Sequence, residues 1–145
     1  MLLLDVNIVL AALRPAQDAH NAAVHEWLGT QLNGERPVGL SDMVLSAVIR
    51  ISTNRRAFRD AVSPDDAVQF VDALRSAPAA RTVRPGPRHW PLFTGLVVEH
   101  GLRDNDITGA YLAAMALEQR ATFVTRDRGF RRFRRLTTLD PLEDV

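Results

Sequence analysis

Short uninterrupted apolar runs divide the chain, and between them apolar residues recur at the spacing of amphipathic helices. The apolar runs predict buried strands at residues 1–6, 37–40, 81–84, 122–125 and 136–139. The helical spacing predicts helices at residues 7–13, 18–33, 41–51, 63–77, 89–100 and 106–119. Strands that alternate with helices predict one α/β domain over residues 1–145, in which a parallel sheet carries helices on both faces.

Polar residues at the expected helix ends support this division. Asn7, Asp18, Ser41 and Ser63 are each predicted to cap the helix that follows, because a short polar side chain can accept a hydrogen bond from a free backbone N–H there. Gly101 is predicted to end the fifth helix. Apolar side chains on the second and fourth helices exceed what a small sheet needs, and they predict contact with a second copy or a partner helix: Trp27, Phe70, Val71 and Leu74.

The composition is that of an ordinary soluble globular protein, with 46% hydrophobic and 24% charged residues. No apolar run approaches the roughly 20 residues that span a bilayer, and residues 1–6 do not have the pattern of a signal peptide. The chain has no cysteine, which excludes disulfides, thiolate metal sites and cysteine nucleophiles. These features predict a cytoplasmic protein without membrane contact.

The positive charge of the chain consists entirely of arginine, because all 18 basic residues are Arg and none is Lys. GC-rich codon usage explains such a bias without any function. The absence of lysine nevertheless excludes Schiff-base chemistry and P-loop nucleotide binding. Each arginine is a planar cation suited to bidentate contact with phosphate. Arg50, Arg55, Arg126, Arg128 and Arg131 are the predicted phosphate contacts, since they fall in two arginine-rich groups.

Aspartates occur where predicted strands end or helices begin. Asp5 and Asp127 follow the first and fourth strands, and Asp106 opens the sixth helix. The carboxyl ends of parallel strands form one edge of the sheet, so these three acids are predicted to converge there. Carboxylates that are held together repel one another, and such a cluster usually implies a divalent metal ion. Asn7 is predicted either to hold a metal-bound water or to orient Asp5. Asp42 lies in the first turn of the third helix.

Each acid also has a purely local interpretation. Asp5 and Asp106 are residue types that cap helices, Asp127 suits a turn, and Asp42 is favoured by the helix dipole. The four histidines lack metal-ligand spacing, and all of them are predicted to lie at the surface: His20, His25, His89 and His100.

Around these aspartates the sequence resembles the PIN-domain nucleases, specifically the VapC-type toxins of bacterial toxin–antitoxin modules. The resemblance rests on five segments that run in order along the chain: residues 2–10, 41–58, 85–90, 105–118 and 125–130. It implies a three-layer α/β/α fold, endoribonuclease activity that depends on Mg²⁺ or Mn²⁺, and a homodimer. It also implies neutralisation by a small VapB-like antitoxin and a structured RNA substrate, either tRNA or ribosomal RNA.

Two positions depart from the family pattern. The family often carries a glutamate three residues before an arginine of the third helix, and counting back from Arg50 gives Ala47. Its third acid commonly falls where this chain has Gly109, and Asp106 lies one helical turn earlier. Asp42 is the nearest substitute for the missing glutamate.

The resulting hypothesis assigns a role to each acid. Asp5 and Asp106 hold one Mg²⁺ or Mn²⁺ ion, Asp127 completes the ligand set or holds a second ion, and Asp42 assists at a distance. Asn7 and Thr125 support the ligands. The alternatives are a metal-poor PIN-like module that binds RNA or a partner without cleaving, and a small aspartyl-phosphate receiver or phosphatase, which the missing lysine disfavours.

Overall fold

The computed structural model describes residues 1–143 and contains a five-stranded sheet with helices between the strands. The strands are β1 Leu2–Leu4, β2 Val38–Ser41, β3 Ala80–Val83, β4 Thr122–Val124 and β5 Thr138–Leu139. The helices are α1 Val6–Leu13, α2 Ala19–Leu32, α3 Asp42–Ser52, α4 Pro64–Arg75, α5 His89–Glu99 and α6 Asn105–Gln119. A short 3₁₀ helix, Arg128–Arg132, follows β4.

The sheet has the order β3-β2-β1-β4-β5, and every neighbouring pair is parallel. The first strand therefore lies at the centre, with Leu4 of β1 opposite Val124 of β4. This pairing brings residues about 120 positions apart in sequence to the same edge of the sheet. The strand order reverses at β1, and ligands of parallel α/β sheets bind at the carboxyl edge beside such a reversal.

Helices cover both faces of the sheet, which confirms the predicted three-layer α/β/α fold. α1 packs against α2 and α3, α3 packs against α4, and α5 packs against α6. Strand β1 is fully buried because apolar residues occupy all three of its positions. Phe123 and Phe133 are among the largest fully buried side chains of the described region.

The observed helix caps confirm three of the four predictions and correct one. The side chains of Asp18, Ser41 and Ser63 accept hydrogen bonds from backbone N–H groups of the helices that follow them. At α1 the cap is Asp5 and not Asn7, because β1 ends at Leu4 and the chain enters the helix at Val6, so the cap lies two residues earlier than predicted. Gly101 has a φ of +57°, the left-handed conformation expected of a glycine after a helix.

Several burial predictions are wrong. His89, predicted to lie at the surface, is 2% exposed; its Nε2 lies 2.9 Å from the Tyr111 carbonyl oxygen. Val71 and Leu74 of α4, predicted to contact a partner, are buried in the protein's own core. Among the helices of residues 1–143, none has the length and apolar character needed to cross a membrane.

Candidate active site

A groove of about 400 Å³ runs along the carboxyl edge of the sheet. Its walls include Asp5 after β1, Asp106 in the first turn of α6, and Asp127 before the 3₁₀ helix. Three acids from distant parts of the chain therefore line one cavity, as the positions of the strand ends predict. Arg132, from the last turn of the 3₁₀ helix, lines the same groove.

Asp5 is the most enclosed of these acids, with 7% of its surface exposed. Its backbone N–H donates to the carbonyl oxygen of Val124 at 3.0 Å, so the sheet ladder continues for one residue beyond β1. Its Oδ1 accepts a hydrogen bond of 2.7 Å from the backbone N–H of Val6. Asp5 therefore caps α1 and lines the groove at the same time. Its interpretation as a helix cap does not exclude its interpretation as a candidate metal ligand.

The second carboxylate oxygen of Asp5 is held by two polar side chains. The Thr125 hydroxyl donates to Oδ2 at 2.6 Å, and the Asn7 amide donates to the same oxygen at 3.0 Å. Asn7 also donates to Thr125 Oγ1 at 3.1 Å, and its Oδ1 accepts from the backbone N–H of Arg126 at 3.2 Å. These bonds fix the orientation of the Asp5 carboxylate, which is one of the two roles predicted for Asn7.

Burial raises the pKa of Asp5 above its ordinary value of 3.8, because the charged form loses hydration. The hydrogen bonds from Thr125, Val6 and Asn7 act in the opposite direction, and repulsion from Asp127 raises the pKa further. A buried carboxylate close to a second acid is stabilised by any cation that enters the groove.

Asp127 and Asp106 are more exposed than Asp5, and each has a local partner. Asp127 Oδ1 accepts from the backbone N–H of Gly129 at 2.8 Å and so caps the 3₁₀ helix. The side chain of Asp106 is 57% exposed and pairs with Arg132 at 3.3 Å. Asp106 is not the cap of α6, a position that Asp104 occupies without a side-chain hydrogen bond.

The donor set of the groove suits a hard divalent cation, because carboxylate oxygens line it and no histidine does. No group of three or more His, Cys, Asp or Glu side chains within residues 1–143 is arranged closely enough to hold a metal ion. Mg²⁺ commonly binds through one or two carboxylates and keeps several waters. The residues therefore fit an ion held by Asp5 with Asp127 or Asp106, and not a cage formed by the protein alone.

The structure does not bring Asp42 to the acids of the groove. Asp42 is the first residue of α3, its side chain is 55% exposed, and it pairs with Arg75 of α4 at 3.1 Å. Ile51 is the residue of α3 that lines the groove, and Ala47 lies one turn before it on the same helix. Ala47, at the position of the family glutamate, is not among the residues that line the groove.

The predicted phosphate contacts have different surroundings. Arg128 and Arg131 both pair with Glu143, and Arg126 lies 3.8 Å from Asp140. Arg50 and Arg55 are exposed, and within residues 1–143 neither forms an ion pair. None of these five arginines lines the groove that holds the three acids.

Sequence reasoning missed Arg132 as the arginine of the groove. The arginine run at residues 131–135 was the available signal, but it does not say which member faces the acids. The 3₁₀ turn at Arg128–Arg132 decides this, and it directs Arg131 to Glu143 and Arg132 to Asp106. Gly109 also lines the groove, and a Cβ built on it would lie 3.5 Å from Phe130, an ordinary contact distance.

Comparison with known proteins places these features in a family. The model of the PIN domain matches residues 2–136. Ribonuclease VapC43 of Mycobacterium tuberculosis is 48% identical over 143 residues, which cover 99% of this chain and 97% of that protein.

Two solved structures share the fold at low sequence identity. The VapBC2 structure from Rickettsia felis, bound to a promoter DNA fragment, superposes with a TM-score of 0.69 at 17% identity, over 95% of this chain and 96% of that one. VapC20 of Mycobacterium tuberculosis, described as a toxin that cleaves the sarcin–ricin loop, superposes with a TM-score of 0.66 at 19% identity, over 92% and 95%. The family match and the identity to VapC43 together show that this chain belongs to the PIN-domain family, in its VapC group.

Proposed function

We propose that this protein is an endoribonuclease that hydrolyses phosphodiester bonds in structured RNA and acts as the toxin of a VapBC-type module. The observation that carries the proposal is the convergence of Asp5, Asp106 and Asp127 on one groove at the carboxyl edge of the sheet. The name of VapC43, a ribonuclease at 48% identity over nearly the whole chain, supports the same activity.

The cofactor we propose is Mg²⁺ or Mn²⁺, held by Asp5 together with Asp127 or Asp106. A bound divalent ion in such a site offsets the negative charge of the phosphate and lowers the pKa of water. The side chains of Asn7 and Thr125 keep the Asp5 carboxylate in one orientation, and burial removes competing water from it. Asp42 is not among the ligands we propose, because it pairs with Arg75 outside the groove.

Arg132 is the residue we assign to the substrate phosphate. In the structure its guanidinium pairs with Asp106, and both side chains are partly exposed, so this ion pair is weak. A phosphate oxygen can replace the Asp106 carboxylate as the partner of the Arg132 guanidinium. This exchange would leave Asp106 free to face a cation. Attack of water in line with the leaving 3′-oxygen forms one P–O bond and breaks another. The products are a 5′-phosphate and a 3′-hydroxyl.

The partners we propose are a VapB-like antitoxin and a second copy of this chain. The structural relatives include VapBC toxin–antitoxin complexes, which supports an antitoxin partner. Trp90 and Val98 of α5 are 65% and 82% exposed, and large apolar side chains at the surface favour a protein contact.

The decisive experiment compares Asp5→Asn with the exposed control Asp72→Asn in a cleavage assay. The substrates are total tRNA and a sarcin–ricin stem-loop RNA, each incubated with Mg²⁺, Mn²⁺ or EDTA. We expect wild type and Asp72→Asn to cleave RNA only with metal. We expect the cleavage rate of Asp5→Asn to fall by about a hundredfold or more, because the substitution removes a charged group that supports the transition state. Cleavage at the wild-type rate by Asp5→Asn would refute the site, and undiminished cleavage in EDTA would refute the metal requirement.

A second candidate function is a PIN-like module that binds RNA without cleaving it. Ala47 and Gly109 favour it, because they stand where the family commonly has acids, and so does the ion pair that Arg132 forms with Asp106. A titration with Mn²⁺ separates the two functions. RNA binding without cleavage at any Mn²⁺ concentration supports the binding module, whereas cleavage that saturates with Mn²⁺ supports the nuclease.

A further inference from the structure

A second pocket, of about 340 Å³, lies beside the groove and between α5, α6 and the segment that follows the 3₁₀ helix. Arg132 contributes to the walls of both cavities, so the pocket and the groove of the three acids are neighbours. The volume is at the lower end of the range for small-molecule sites, which is the size of a single nucleotide. The proposed function assigns no role to this pocket.

The inner wall of the pocket is apolar and aromatic. Leu96 and Phe133 are buried, and Leu117 is half-buried. The half-buried His100 ring packs edge-on against Phe133, with ring centroids 5.1 Å apart, which fixes the imidazole at the pocket wall. A planar ring held in this way offers a surface on which a nucleic-acid base can stack.

The rim of the pocket is cationic. Arg132, Arg134 and Arg135 line it, and Glu99 is its only acid within the described chain. Arg134 and Arg135 are exposed, and neither forms an ion pair within residues 1–143. They differ in this respect from Arg128 and Arg131, whose charges are offset by Glu143. Arg134 and Arg135 both line the pocket, and no carboxylate of residues 1–143 pairs with either, so they are suited to bind a phosphate.

We propose that this pocket binds one nucleotide of the RNA strand next to the scissile phosphate. The base stacks on His100 above the apolar wall, and the phosphate of the same nucleotide pairs with Arg134 and Arg135. Arg132, between the two cavities, contacts the strand where it passes into the groove. The proposal rests on the proposed function, because the groove must hold the scissile phosphate for its neighbour to reach the pocket.

The test measures the binding of a fluorescein-labelled single-stranded RNA of 12 nucleotides and mixed sequence, in EDTA, by fluorescence anisotropy. The variant Arg134→Ala/Arg135→Ala is compared with Arg81→Ala/Arg84→Ala, which removes the same charge from and just after β3, at the opposite edge of the sheet. We expect about tenfold weaker binding by the first variant and a change within about twofold by the control. The slope of log affinity against log salt decreases by about 1.4 in the first variant only, since two phosphate contacts are lost.

A second pair of variants tests the stacking contact. His100→Ala removes the ring, and we expect it to weaken binding by about fivefold or more. His100→Phe keeps an aromatic surface and is expected to bind within about twofold of wild type. Thermal unfolding of each variant establishes that the fold is intact, and Arg134 and Arg135 are exposed side chains whose removal leaves the core unchanged.

The outcomes separate this inference from the proposed function. If Arg134→Ala/Arg135→Ala binds the RNA like the control, the pocket proposal is overturned, even when wild type cleaves RNA with metal. If the variant loses RNA binding but wild type does not cleave with Mg²⁺ or Mn²⁺, the proposed function fails. The pocket is then an RNA-binding site, and its place next to a scissile phosphate is overturned. If Arg134→Ala/Arg135→Ala binds RNA like wild type but binds a decaglutamate peptide more weakly than wild type, the pocket binds an acidic protein segment and the proposal is overturned.

Discussion

Replacement of Thr125 by valine tests whether one buried hydroxyl supports the charge of Asp5. Valine preserves the volume of threonine but removes the donor of the 2.6 Å hydrogen bond to Asp5 Oδ2. A hydrogen bond to a charged group contributes about 1.5–3 kcal/mol to the free energy of unfolding. We therefore expect Thr125→Val to lose about 2 kcal/mol at pH 7.5, which for a chain of this size lowers the Tm by about 6 °C.

The loss of stability should depend on pH, with a sign that follows from the raised pKa of Asp5. The folded protein retains the Asp5 proton above pH 3.8, where the unfolded chain releases it. The free energy of unfolding therefore decreases as the pH rises from 3.8 through the pKa of the folded state. Thr125→Val raises that pKa further, since the hydroxyl stabilises the charged form. The deficit of the variant should be largest at pH 7.5 and should shrink toward about 1 kcal/mol at acidic pH, where Asp5 is neutral.

The assay is thermal unfolding in EDTA, followed by circular dichroism from pH 4.5 to pH 8. Thr125→Ser is the matched control: it keeps the hydroxyl and removes only a buried methyl group. Its loss of stability, about 1 kcal/mol, should be the same at every pH. A deficit of Thr125→Val that does not change with pH would refute the role assigned to the hydroxyl.

Three further predictions concern glycines. Gly39→Ala should lower the free energy of unfolding, measured by chemical denaturation, by about 1–3 kcal/mol, because a Cβ there would lie 2.8 Å from Val83 Cγ2. The control Gly29→Ala should be neutral or stabilising, since its Cβ would have no neighbour within 4 Å. Gly86→Ala should also destabilise, since its Cβ would lie 2.8 Å from a carboxylate oxygen of Glu118, and the backbone N–H groups of Gly86 and Arg88 hold that carboxylate in place. An unchanged Tm would contradict this. Gly109→Asp should lower the Mn²⁺ concentration for half-maximal RNA cleavage by about tenfold, because it adds a carboxylate to the groove; no change would show that position 109 does not reach the ion.

The order of the strands and helices, and the edge of the sheet at which the three acids line a groove, could be predicted from the sequence. Apolar runs such as Leu2–Leu4 have no polar alternation, which is typical of buried strands of a parallel sheet. Asp5 and Asp127 were found because they end such runs, and an acid in that position must face a polar space. The parallel pairing of β1 with β4 then places both at one groove.

The partners of individual side chains could not be predicted, because they depend on contacts between distant residues. The capping of α1 by Asp5, the exposure of Asp42 and the ion pair between Arg132 and Asp106 each depend on how the chain packs in three dimensions. His89 has a sequence context typical of a surface residue, yet aromatic contacts with Phe93 and Tyr111 bury it. Charge patterns identify which residues are available, but packing decides which of them meet.

The pairing of β1 with β4 has a consequence for the synthesis of the protein in the cell. Residue 5 leaves the ribosome early, but its hydroxyl partner at residue 125 is made about 120 residues later, which at 5–20 residues per second is a delay of about 6–24 seconds. During that interval a nascent chain contains no assembled groove. In the function we propose, an antitoxin translated at the same time has that delay in which to accumulate.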